Sequence, residues 1–177
     1  MTRLVSALLI CLVIAAITTS PGTTQPASPT ADPSVPDGAI AADTRAFFKD
    51  DPAAIDVVQF ILMTNWEMDT ATSAERFFEQ VRATIPTDLT VHESALRLLP
   101  LNDDQVLIVG TDRFGGPVTV ILFRAGNYFG TWMAVGDVDQ DQILADLYNE
   151  FFRQGFDPAV PFPSEADLPT GYSAAGA

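Results

Sequence analysis

Cysteine, histidine and lysine occur once each in this 177-residue chain, as Cys11, His92 and Lys49. One cysteine excludes an intramolecular disulfide framework, so stability must come from a packed core. One histidine excludes a two-histidine zinc site within a subunit, and leaves a Ser-His-Asp arrangement dependent on His92 alone. His92 stands beside Glu93, and strand neighbours point to opposite faces, so the pair is no sign of an activated base. No serine lies in a Gly-x-Ser-x-Gly turn, which removes the strand-turn-helix hydrolase signature. Positive charge is scarce too: nine Lys and Arg stand against 23 acids, for a formal net charge of −14. Nucleic acid and anionic membrane surfaces are therefore excluded as partners, because both demand a basic field. The acidity itself has a simpler use in solubility.

What is present begins with Arg3 and an apolar run from Leu4 to Ile17 that only Ser6 interrupts. A charged start and about 14 apolar residues fit a secretory signal peptide and fall short of the ~20 a membrane span needs. Residues 1–20 are thus expected to be a signal peptide or, if uncut, a short N-terminal anchor. Cys11 sits in the middle of the run, between Ile10 and Leu12, where it reads as a small hydrophobe and not as a lipid-bearing cysteine. Residues 21–40 are rich in Pro, Thr and Ser and are expected to be a disordered tether. Residues 41–156 are expected to form one domain, and 157–177, with Pro158, Pro161, Pro163 and Pro169, an unstructured tail. The location expected is secreted or extracytoplasmic, with membrane contact only through a retained N-terminus.

Within the domain, the pattern predicts a short helix over Ala41–Phe48 and a strand over Ile55–Glu67, with Val58, Phe60, Leu62 and Trp66 on one face. Thr72 and Glu75 have capping-box spacing, and the stripe Ala74, Phe77, Phe78, Val81 and Ile85 predicts a helix that Pro86 ends. Strands follow over Leu89–Leu99, Gln105–Asp112, Pro117–Arg124 and Tyr128–Val135. Their connections are short and hold Gly and Asn, which forces antiparallel pairing. Ile143, Leu144, Leu147, Tyr148, Phe151 and Phe152 predict a second helix over Gln140–Arg153, stopped at Gly155-Phe156. The fold class expected is α+β: one antiparallel sheet of about five strands, in the order β-α-β-β-β-β-α, with both helices on one face.

This element order resembles helix-grip and TBP-like α+β folds. The hairpin Phe123-Arg124-Ala125-Gly126-Asn127, leading into an aromatic strand, is similar to that of uncharacterised exported bacterial α+β domains. The helix-grip resemblance implies an apolar pocket between sheet and last helix, and on it Trp66, Phe123, Trp132, Tyr148 and Phe152 are candidates for a ligand groove. Filling of the core by the same rings is the competing reading.

Asp137, Asp139 and Asp141 alternate as ligands do at the start of an EF-hand loop, but Gln142 stands where that loop needs glycine and Tyr148 where it needs glutamate. A helix start capped by Asp139, with Gln142 closing the box and Asp141 in the first turn, accounts for more of the residues. The stretch Gly110-Thr111-Asp112-Arg113-Phe114-Gly115-Gly116 leads into a strand instead of a helix and reads as a hairpin turn, not a phosphate loop. No cofactor motif is present. The expected function is a non-enzymatic, exported binding domain whose partner is a protein or a small apolar ligand. The alternative is an enzyme working through carboxylates or a metal, using Asp137, Asp139, Asp141 or Glu93.

Overall fold

The computed structural model describes residues 36–49, 59–136 and 139–174. The expected leader, most of the tether, and Asp137 lie outside the described residues. Seven strands form one sheet: β1 (Ala39–Lys49), β2 (Phe60–Met68), β3 (Thr90–His92), β4 (Asp104–Thr111), β5 (Pro117–Ala125), β6 (Tyr128–Val135) and β7 (Tyr172–Ala174). Their spatial order is β3-β4-β5-β6-β2-β1-β7, and every neighbouring pair is antiparallel. Among the described residues two α-helices accompany the sheet, α1 (Ala71–Asp88) and α2 (Gln140–Phe151). It is α+β with an antiparallel sheet, as expected, but with seven strands instead of about five.

The helices lie on opposite faces of the sheet, which corrects the one-sided arrangement expected from the sequence. Phe60, Trp66, Val118, Val120, Leu122, Phe129 and Met133 pack with Phe77, Phe78 and Val81 of α1. Their strand neighbours Ile61, Met63, Ile121, Phe123, Trp132 and Ala134 pack instead with Leu144, Leu147 and Tyr148 of α2. The reason is visible in β5 and β6, where Val118–Phe123 and Phe129–Ala134 are buried without a break. Strands with large apolar side chains on both faces, as in Val120–Phe123 and Trp132–Met133, need a cover on both sides. The result is three layers, with the sheet in the middle.

Local propensity was overridden in β1. Ala41–Phe48 is strand and not helix, because it pairs along its length with β2, Thr44 opposite Thr64 and Phe48 opposite Phe60. The start of α1 also differs from expectation. Asp69 N–H donates to Gly38 O at 2.7 Å, which turns the chain out of β2. Thr70 is then the first residue placed to cap, and its Oγ1 accepts from Ser73 N–H at 3.1 Å, in place of the expected Thr72–Glu75 box. Replacing a capping threonine by alanine costs about 1 kcal/mol, so Thr70→Ala should lower the melting temperature by ~4 °C. A thermal melt followed by circular dichroism checks this; an unchanged midpoint would refute the cap. Pro86 lies inside α1, which runs on to Asp88. The N–H it lacks would have met the carbonyl of Arg82, and both residues lie on the exposed side of the helix.

The strand expected over Leu89–Leu99 shrinks to β3. Beyond it the chain leaves the sheet edge for α2, where Leu99 N–H donates to Asn149 Oδ1 at 2.8 Å and Asn149 Nδ2 to Arg97 O at 3.3 Å. The residues after Asp157 correct the expectation of an unstructured tail. They return across the α2 face, form a 3-10 turn at Glu165–Asp167, and end as β7 against Phe47–Lys49 of β1. Phe162 and Tyr172 are buried there. The tail was misread because its prolines mask three well-spaced large side chains, Phe162, Leu168 and Tyr172.

Candidate functional site

Four of the five residues expected to line a groove meet under α2. Phe123, Trp132, Tyr148 and Phe152 pack ring to ring, with centroids 5.0 Å apart for Phe123–Phe152, Trp132–Phe152 and Tyr148–Phe152. Each is at most 1% exposed, so together they fill the space between sheet and helix. Trp66 lies on the other face, against Phe77 and Phe129 beneath α1. Strand alternation separates it from the rest, since β2 presents Trp66 to α1 and Ile61 and Met63 to α2. That second face of β2 is covered and not open.

Phe123 lies across β6 at Gly130, where any Cβ would come 2.2 Å from the Phe123 ring and 2.4 Å from Asn65 Oδ1. Glycine lets the ring approach the backbone. The hydroxyl of Tyr148 accepts from Asn102 Nδ2 at 2.6 Å and donates to Gln105 Oε1 at 3.0 Å. Burial pushes that hydroxyl well above a tyrosine's usual pKa, with the Asn102 bond acting the other way. It is thus a structural donor, pinning the crossing segment after β3 to the sheet. Past the end of α2, Gly155 has φ +90°, the left-handed stop expected, and Phe156 packs on Phe123 and Tyr128.

Among the described residues the candidate carboxylates do not converge. Asp139 occupies the position before α2 as expected, yet its side chain makes no capping hydrogen bond. Asp141 Oδ1 accepts from its neighbour Gln142 N–H at 2.9 Å, and Gln142 Nε2 turns away to Asp146 at 2.8 Å, so the expected box is not formed. Among the described residues, no group of three His, Cys, Asp or Glu is placed to hold a metal ion. His92 and Glu93 are exposed beside the β3 edge. Asp103 and Asp104 are engaged by Arg124, whose Nη2 lies 2.6 Å from Asp104 Oδ2. The turn at Asp112–Gly116 is a hairpin, as read, with Asp112 Oδ1 accepting from the N–H groups of Phe114 and Gly116 at 2.8 Å each.

An open groove lies on the outer side of α2. Ile143, Leu147 and Phe151 form one wall and Leu168 and Pro169 the other, around an open groove of about 650 Å³. Asp146, Glu150 and Asp167 stand at its rim. Glu150 is bridged by Arg153 one turn on. Asp167 is held below the usual carboxylate range by the Ser164 hydroxyl, which donates at 2.6 Å, and by the Ser164 N–H at 2.8 Å. Sequence reasoning found Leu147 and Phe151 as helix-stripe residues but missed Leu168, Pro169 and Asp167. The available signal was Ser164-Glu165-Ala166-Asp167, a capping spacing inside the supposed tail.

Among the described residues no helix is long and apolar enough to cross a membrane. No protein-family model matches the sequence, and no curated protein matches it. Among solved structures the chain is similar to the extracellular domain of PknH from Mycobacterium tuberculosis, at 14% identity and a TM-score of 0.40, covering 63% of this chain and 64% of that one.

Proposed function

We propose that this is an exported, non-enzymatic interaction domain, and that it receives a segment of a partner protein in the groove between α2 and the C-terminal segment. The observation that carries this reading is the groove's chemistry. Its walls are apolar, through Ile143, Leu147, Phe151 and Leu168, and its rim is acidic, through Asp146, Glu150 and Asp167. Walls of that kind accept one or two large apolar side chains between them, while the rim favours Lys or Arg beside them. A small apolar ligand fits less well, because such ligands are held in sites that enclose most of their surface, and this groove is open along its length. Export is supported by the apolar leader that follows Arg3.

The test uses a peptide with a Leu-Phe centre flanked by two arginines on each side, and a control with the arginines replaced by glutamates. The basic peptide should slow hydrogen exchange at Ile143–Phe151 and around Leu168, and the acidic one should not. Leu168→Asp should weaken binding about tenfold or more while moving the melting temperature by only a degree or two, since Leu168 is half-exposed. Equal binding by Leu168→Asp, or by the acidic control, would overturn the assignment of the groove.

A further inference from the structure

From the free side of β1 we infer that a second copy of this chain pairs with it, strand against strand, about a two-fold axis at Thr44. Among the described residues, β7 pairs with Phe47–Lys49 of that side. Among the described residues, Ala39–Ala46 therefore has β2 on one side and no strand on the other. Ala42, Asp43, Thr44 and Arg45 are exposed, although they stand in the middle of a regular strand. An edge of this length is a template for another strand.

The backbone decides which residues would bond. Lys49 N–H donates to Gln59 O at 3.0 Å, toward β2. Antiparallel strands alternate, so the odd-numbered residues from Asp43 to Lys49 face β2 and Ala42, Thr44 and Ala46 turn their N–H and C=O groups outward. Centring the axis on Thr44 sets Thr44 against its own copy and Ala42 against the copy's Ala46, giving about six backbone hydrogen bonds. In the same register Asp43 of each chain lies opposite Arg45 of the other, in the closer, non-hydrogen-bonded type of pair. Opposite charges in that position attract, and the pairing occurs twice. The axis at Asp43 would instead set two carboxylates face to face.

The limits of the contact are also built in. Ala174 sits opposite Phe47, where the copy's Ala41 would otherwise come, so pairing stops at Ala42. The irregularity between Ala39 and Ala41 lets the strand diverge there. Each copy carries a formal charge of −14, but at physiological salt repulsion reaches only about 8 Å, while the Asp43–Arg45 pairs are in contact. The contact is small, so a dissociation constant on the order of 100 μM is expected.

This inference stands apart from the α2 groove, and its test does not involve it. Sedimentation velocity of the full chain, from ~10 μM to ~1 mM, should show a monomer–dimer equilibrium. Asp43→Arg alone and Arg45→Asp alone should each weaken it about fivefold, and the double exchange should restore it. A disulfide provides the second measurement. In a Cys11→Ser background, Thr44→Cys should oxidise to a 44–44 cross-link between chains, because paired Cα atoms about 5.5 Å apart lie within disulfide range. A monomer throughout the range would overturn the inference and leave Asp43 and Arg45 as charges guarding a bare edge. A dimer indifferent to the charge exchanges, or one without the cross-link, would overturn it equally.

Discussion

Ending the chain at Pro158 should leave a protein that does not fold at 37 °C. The truncation removes Phe162 and Tyr172, which are 3% and 7% exposed, together with β7. Burial of each such ring is worth about 3 kcal/mol, and the total stability of a domain this size is only about 5–15 kcal/mol. Two further losses follow. Asn65 Nδ2 donates to Pro161 O at 2.7 Å, so a buried amide loses its acceptor. Arg45, whose guanidinium lies 5.1 Å from the Phe162 ring centre, loses the surface it covers. The point substitution Phe162→Ala, expected to lower the melting temperature by ~10 °C, keeps the question answerable if the truncated chain cannot be isolated. A melting curve unmoved by Phe162→Ala would mean the segment after Asp157 contributes nothing to the fold.

Gly130→Ala should be nearly as severe, although it adds one methyl group. The Phe123 ring cannot slide away, because Trp132, Tyr148, Phe152 and Phe156 all pack around it at 5.0–6.3 Å. Asn65 closes the other side. Overpacking of a filled site costs about 1–3 kcal/mol, and contact this close places it at the upper end, with a fall of ~10 °C in the melting temperature. The companion variant Phe123→Leu isolates the cause. It should be destabilising alone, yet the double variant should be more stable than the sum of the two single effects predicts. Strict additivity would show that the damage at Gly130 does not pass through the Phe123 ring.

Much of the sheet was legible in the sequence because its signals are local. Short turns at Gly115-Gly116 and Gly126-Asn127 force the β4-β5-β6 meander, and β6 was read to the residue. The stripes of α1 and α2 were legible for the same reason. The elements that were missed are made by distant partners. Nothing in Ala41–Phe48 asks for a strand except β2 beside it, and nothing in Tyr172–Ala174 does except β1. The opposite placement of the helices, by contrast, was written in the four successive large apolar residues Val120–Phe123 of β5, where strand alternation alone predicts one buried face. For the α2 groove, one wall was visible as the edge of a helix stripe. The other depends on where a proline-rich segment comes to rest, which local composition does not encode.

The pairing of β1 with β7 ties the first described strand to the last. Pairings between such distant residues are the slowest to form, since the entropy of closing a long loop must be met first. Until Tyr172–Ala174 docks, Phe47 has β2 on one side alone, and until Phe162 is in place the α2 layer is incomplete. This seam of the sheet is therefore expected to be the last to set, and a refolding chain stays soft along β1 until its most distant partner strand has docked.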